Sequence, residues 1–346
     1  MSVIASRFGI TTVAAVAAGM VLLSAGPAVA GREIGSGSQG TGGDTHTSGD
    51  AKGDGTISAA VVFDRSKNGS GSRAGAVTPV GNWSPPACWY APKYSPAQLQ
   101  KHLEPIWEAG STGYGWDADQ RDRYVKGHPY KDFNKDKAGD GYWWDSYVNK
   151  SYPPGWDSCN KPYFWVDKGD PPPADAPEAV TPEILAGLAY AEIRVPDTDV
   201  EMSPTQNQTV NLPTWAWLDK AQFKPVSVTA SVPVLDIEAT TTATPVSLKL
   251  EPGTADAELH PASGECPINK DGSIGTPYTK GSGDRTPPCG LTYLRASGSD
   301  GSYEFKATVT WKINWEGSGG AGGELPDGTF GTTQDVTVQE VQSINR

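Results

Sequence analysis

From residue 303 to residue 316 apolar and polar side chains alternate without a miss. Tyr303, Phe305, Ala307, Val309, Trp311, Ile313 and Trp315 fall on one side, and Glu304, Lys306, Thr308, Thr310, Lys312, Asn314 and Glu316 on the other. Side chains along a strand repeat every two residues, so the pattern predicts one long strand with a dry and a wet face; no helix can use it. Burying the dry face would contribute roughly 10 to 20 kcal/mol of gross transfer free energy, at about 1.5 to 3 per large side chain. A second run sets Val226, Val228, Ala230 and Val232 against Ser227, Thr229 and Ser231. Its phase slips at Pro233, after which Leu235, Ile237 and Ala239 carry the apolar face, as at a bulge or a strand break. Further β-rich pieces lie at residues 246–250, 291–294 and 336–341, and the run 210–218 carries Trp215 and Trp217. Amphipathic strands at this spacing, parted by Gly, Pro and Asp turns, predict a mainly β chain ending in an antiparallel sandwich with one half-solvated face per sheet.

Helical periodicity is recognisable twice. Ser95 is an N-cap candidate, Pro96 takes the first helical position, Gln98 completes a capping box, and Leu99, Leu103, Ile106 and Trp107 share a face. Pro105 should kink or shorten that helix. Thr181 caps a second helix that opens on Pro182, carries Ile184, Leu185, Leu188 and Ala189, and should end before Pro196. Eight of the twelve tryptophans fall within residues 80–168: Trp83, Trp89, Trp107, Trp116, Trp143, Trp144, Trp156 and Trp165. Outside its one helix this region reads as loops pinned by aromatic rings. Residues 169–180, with Pro171, Pro172 and Pro173, read as a stiff linker. Residues 181–346 then form a helix-plus-sandwich domain.

The first thirty residues contain no Asp or Glu, one basic residue at Arg7, a short apolar run over 10–23, and a small-residue end at Ala28, Val29 and Ala30. This fits a secretory signal cleaved before Gly31, and the run falls short of the ~20 residues of a spanning helix. No second apolar segment follows it. Residues 31–79 read as a disordered Gly/Ser-rich tether with one short apolar run at 57–63, too poor in apolar surface to offset the entropy of ordering. The Leu-Pro-Asp-Gly-Thr at 325–329 lacks the spacing, apolar tail and basic end of a sortase signal. A net charge of −12 repels nucleic acid and anionic lipid.

Cys88, Cys159, Cys266 and Cys289 all lie beyond the signal, in a chain bound for an oxidising compartment. Three connectivities exist, of which sequential pairing is the simplest; on a chain-entropy model those loops contribute about 3.5 and 4.4 kcal/mol. No CxxC pair occurs and the four histidines are scattered, which argues against zinc.

Motifs for chemistry are sparse. No GxGxxG turn stands between a strand and a helix, no P-loop is present, no GxSxG lies on a strand-turn-helix elbow, and HExxH is absent. Asp132, Asn134, Asp136 and Asp140 stand at positions 1, 3, 5 and 9 of a loop, like the first half of an EF-hand-type calcium site. Lys137 replaces the turn glycine there, and Trp143 stands where a bidentate Glu is needed, so a plain acidic turn is the other reading. Trp143, Trp144 and Trp156, with polar neighbours, have the composition of a sugar-stacking platform; the alternative is that these rings form the core of a small domain. Glu104 and Glu108, one helical turn apart, read as a solvated helix face rather than a glycosidase pair.

The segments VNLPTWAWLD (210–219), PCGLTYLRAS (288–297), YEFKATVTWKINWEGSGG (303–320) and VTVQEVQSIN (336–345) carry a resemblance. They resemble exported actinobacterial proteins of unassigned function whose C-terminal domain is similar to the PKD type of immunoglobulin-like sandwich. The resemblance covers about residues 176–346. The PKD turn W-x-F/W-G-D-G is replaced here by EPGTADAELH at 251–260. Together these features lead to an expected secreted or cell-envelope protein without catalytic activity, presenting a structural or binding surface to an unknown protein or glycan. Glycan binding through the Trp-rich region is the alternative, and a cell-wall hydrolase the third. No cofactor is implied beyond the calcium candidate.

Overall fold

The computed structural model describes residues 46–47, 61–69, 74–110, 112–149, 152, 154–196, 198, 200–205, 207–218, 223–298 and 301–341. The expected signal and most of the expected tether therefore lie outside the described residues. The chain is mainly β, built from curled antiparallel sheets.

The Trp-rich region is more regular than a set of pinned loops. Strands β1 (Cys88–Tyr94), β2 (Gly141–Val148) and β3 (Phe164–Asp167) form a three-stranded antiparallel sheet. Helices α1 (Pro96–Ala109) and α2 (Tyr114–Tyr124) sit between β1 and β2 in the chain. Helix α1 has the expected capping box, with the Ser95 side chain accepting from the Gln98 amide, and it buries Leu99, Leu103 and Trp107. It runs through Pro105 and ends at Gly110, whose φ of 59° is the left-handed conformation that glycine adopts without strain. Helix α2 lacks an apolar stripe, burying only Asp117 and Tyr124, which is why periodicity does not reveal it. Helix α3 (Pro182–Glu192) forms with Thr181 as its cap.

After α3 come β4 (Glu201–Ser203), β5 (Asn207–Thr209), β6 (Pro213–Leu218), β7 (Val226–Val232) and β8 (Ile237–Glu251). They are followed by β9 (Ala257–His260), β10 (Glu265–Pro267), β11 (Ile274–Gly275), β12 (Gly290–Tyr293), β13 (Tyr303–Gly317) and β14 (Gly322–Gln339). A wide sheet runs β7-β8-β13-β14-β5, antiparallel except where β5 lies parallel to β14. A smaller antiparallel sheet runs β9-β12-β6-β11, with β4 also on β6.

Strand β13 keeps the predicted alternation: Phe305, Ala307, Val309, Trp311, Ile313 and Trp315 are buried and the intervening residues are not. The phase slip at Pro233 is a strand break. Residues 233–236 turn the chain, and β7 and β8 pair as a hairpin from Val232 opposite Ile237 to Val226 opposite Ala243. The dry face of the wide sheet is covered at one end by α3, where Thr241 donates from Oγ1 to the Ala186 carbonyl at 2.8 Å. Ala216, Leu218, Ile274, Leu291 and Tyr293 of the small sheet join the same core.

Two boundaries differ from expectation. Residues 61–69 and 74–79 are woven into the fold: Val62–Asp64 pairs with β7, Thr78–Pro79 with β14, and Val61 and Phe63 are buried. Low local complexity sets no limit on pairing with a distant strand whose edge is open. The Pro-rich segment is not a spacer throughout, because its end docks on β1. The Tyr90 amide donates to the Glu178 carbonyl and the Val180 amide to the Tyr90 carbonyl, with Ala176, Ala179 and Val180 buried. Strand β14 takes in the whole Gly-rich stretch from residue 322, which its composition conceals, since β13 supplies a pairing partner along most of its length.

Candidate functional site

The Trp-rich sheet uses its rings as core, which corrects the sugar-platform reading at two of its three positions. Trp143 is 0 % exposed and Trp144 2 %, so neither can offer a face to a ligand. Trp143 makes edge contacts with Tyr124, Tyr130 and Trp165 and donates from Nε1 to the Phe133 carbonyl at 3.0 Å. Trp144 packs on Phe164 in the main core. Trp156 is half-buried, its Nε1 tied to the Asn149 carbonyl at 2.8 Å. Both expected disulfides are present, Cys88–Cys159 and Cys266–Cys289, with Cα atoms 6.0 and 5.4 Å apart.

The calcium candidates lie on a turn whose structural work is different. Asp132, Phe133 and Asn134 have φ of 43°, 56° and 58°, three consecutive left-handed residues. That turn inserts the buried Phe133 against Trp107, at 5.8 Å between ring centroids. The Asp132 carboxylate is 3.0 Å from Lys135 Nζ, Asn134 is buried, and Asp136 and Asp140 are exposed. Among the described residues, no group of three or more His, Cys, Asp or Glu is arranged to hold a metal ion. The histidines meet separate partners: His102 Nε2 is 3.3 Å from the Tyr163 hydroxyl, His128 Nδ1 3.3 Å from Asp122, and His260 Nε2 3.2 Å from the Thr292 hydroxyl.

A better placed aromatic surface lies on the small sheet. Along β6, Thr214, Ala216 and Leu218 are buried, and Ala216 and Leu218 belong to the main core; Trp215 and Trp217 therefore point to the opposite, outward face. Register adds Glu201 opposite Trp217 and Ser203 opposite Trp215 from β4. Across the other edge stand two glycines, Gly290 beside Trp215 and Gly275 beside Trp217, so on that side no paired side chain stands against either indole. Pairing continues outward to His260 opposite Gly290 and Glu258 opposite Thr292. The loop closed by Cys266–Cys289 brings Tyr278 edge-on to Trp215 at 6.0 Å. Trp215 is thereby covered, whereas Trp217 is half-buried and Tyr278 36 % exposed. Trp217 Nε1 donates to Glu201 Oε2 at 2.9 Å, which fixes the ring and leaves the second carboxylate oxygen as an acceptor. Sequence reading singles out the run 210–218 but not its outward face, because Trp215 and Trp217 alternate with residues that are themselves buried and the period-two contrast vanishes.

A second polar feature, also missed, sits inside the Trp-rich sheet. Lys93 Nζ is 2.8 Å from Asp145 Oδ2, with side chains only 7 % and 2 % exposed. Close by, burial raises the Tyr124 phenol far above its usual range, and the Asp145 charge adds to the shift.

No protein family, curated protein or solved structure matches this chain.

Proposed function

We propose that this is an exported, non-catalytic protein of the cell envelope or its surroundings, that it presents a binding face on the small sheet, and that the ligand is a polysaccharide. The observation that carries this reading is the outward pair of Trp217, half-buried, and Tyr278, 36 % exposed, beside Glu201 and Ser203 of β4. Pyranose rings stack their apolar faces on such aromatics, and carboxylates and hydroxyls accept and donate to the sugar hydroxyls around them. The two disulfides support export, since such bonds persist in oxidising compartments. No described helix is long and apolar enough to cross a membrane. The PKD-like resemblance is in keeping with a scaffold role.

The test is sedimentation of the full secreted chain with insoluble cell-wall polysaccharide. Binding is expected for the native protein and a loss of at least tenfold for Trp217→Ala and Tyr278→Ala. A native protein that stays in the supernatant sinks the polysaccharide reading.

A further inference from the structure

Strands β1 and β2 pair in register from Cys88 opposite Val148 to Pro92 opposite Trp144, and the pairing then skips, placing Tyr94 opposite Trp143. Lys93 is the extra residue of this bulge. Such bulges bend a strand and re-aim a side chain, and here the outcome is direct contact between Lys93 Nζ and Asp145 Oδ2 at 2.8 Å. The site is dry. Asp145 lies between the buried Trp144 and Ser146, and the rings of Tyr94 and Tyr147 cover Nζ at 5.6 and 5.0 Å. Asp145 Oδ1 accepts the Ser146 amide at 2.8 Å, which fixes the plane of the carboxyl group. Two opposite charges held away from water gain little net stability over an apolar pair, so the ion pair alone is a poor reason for this construction.

We propose that Lys93 and Asp145 are joined by an isopeptide bond formed within the folded chain. Passing one proton from Nζ to Oδ2 along their hydrogen bond cancels both buried charges and leaves an amine and a carboxylic acid. The Nζ lone pair attacks Cγ, the bond from Cγ to Oδ2 breaks, and Oδ2 departs as water with its own proton and one from Nζ. An amide remains. The balance needs no oxidant and no other reactant. Fixing amine and carboxyl in contact substitutes for reactant concentration, with effective molarities of about 10⁵ to 10⁸ M in well-oriented cases. Once water has left, the aromatic walls keep it from returning.

The bond would close a ring over residues 93–145, nested inside the loop closed by Cys88–Cys159. That ring contains both α1 and α2 and most of the second core, formed by Leu99, Leu103, Trp107, Tyr124, Phe133, Trp143 and Tyr163. A chain exposed to proteases and reductants would then keep this module closed even with its disulfide open.

The test is the intact mass of the full secreted chain, reduced and alkylated. The expected mass is lighter than the sequence requires by one water, and digestion should give a branched peptide linking the Lys93 segment to the Asp145 segment, uncut by trypsin at Lys93. Lys93→Ala and Asp145→Ala should each restore the missing water. Native protein that melts cooperatively yet has the full sequence mass, and whose Lys93 amine is acetylated after denaturation, overturns the proposal. Because the native protein alone decides, poor folding of either variant leaves the test intact.

Discussion

Trp143 and Trp144 are consecutive residues of one strand, and their side chains are buried in two separate cores. Trp143 faces the helices, in the cluster with Leu99, Tyr124 and Phe133; Trp144 faces the opposite way, toward Phe164 and the main core. The three-stranded sheet is thus a wall between two hydrophobic compartments, which is why neither ring is available to a ligand.

Truncating either ring should leave a cavity. Trp143→Ala and Trp144→Ala are each expected to cost about 3 to 5 kcal/mol of stability, read by denaturant unfolding. Trp217→Ala on the outward face should cost less than about 1 kcal/mol while abolishing polysaccharide binding, as surface changes usually stay within ~0.5. Equal destabilisation by all three would contradict the two-face arrangement of β6.

The disulfides should differ in what they hold. Replacing Cys88 and Cys159 by Ala opens the longer loop, with a sequence separation of 71 against 23 for the other pair. On loop entropy the first loss should be the larger, about 4.4 against 3.5 kcal/mol. If the Lys93–Asp145 bond forms, the two losses should become nearly equal, at about 3.3 and 3.5 kcal/mol, because a second closure already shortens that loop. Unfolding curves of the two double variants distinguish these outcomes.

Burial raises the phenols of Tyr124, Tyr190 and Tyr293 far above the ordinary value of 10.0. A raised folded value means that the native state keeps protons the unfolded chain releases. The stability these residues contribute is therefore complete below about pH 10 and falls as pH rises beyond it. In an alkaline spectrophotometric titration, three phenolates should appear only together with unfolding. Early, fully reversible ionisation of all tyrosines would contradict their burial.

The turn at residues 132–140 places Asp132 against Lys135 and spends its left-handed backbone on burying Phe133. Millimolar calcium should leave the melting temperature and tryptophan emission unchanged. A rise in melting temperature would mean that Asp132 leaves Lys135 and the carboxylates regroup around the ion.

What the sequence determined by itself are the features that depend on local periodicity and capping. The strand Tyr303–Gly317 is legible because one face is dry along its whole length. The helices at Pro96 and Pro182 are legible because Ser95 and Thr181 satisfy their own amide groups. Sequential disulfide pairing was the simplest arrangement and is the one formed. The tertiary structure alone decided the rest, for one physical reason: a backbone hydrogen bond or a buried face can be supplied by residues far away in the chain. The stretches at 78–79 and 322–339 become strand because β14 and β13 offer partners, and Gly75–Ala76 does so by pairing with Arg194 and Val195. Helix α2 forms without a stripe because Tyr124 reaches a core assembled by Leu99, Leu103 and Trp107 of α1 with Phe133, Trp143 and Tyr163. Which tryptophans are core and which face outward depends on what covers each side of a sheet. That Lys93 meets Asp145 depends on a single skipped residue in the pairing of two strands 52 residues apart at the contact.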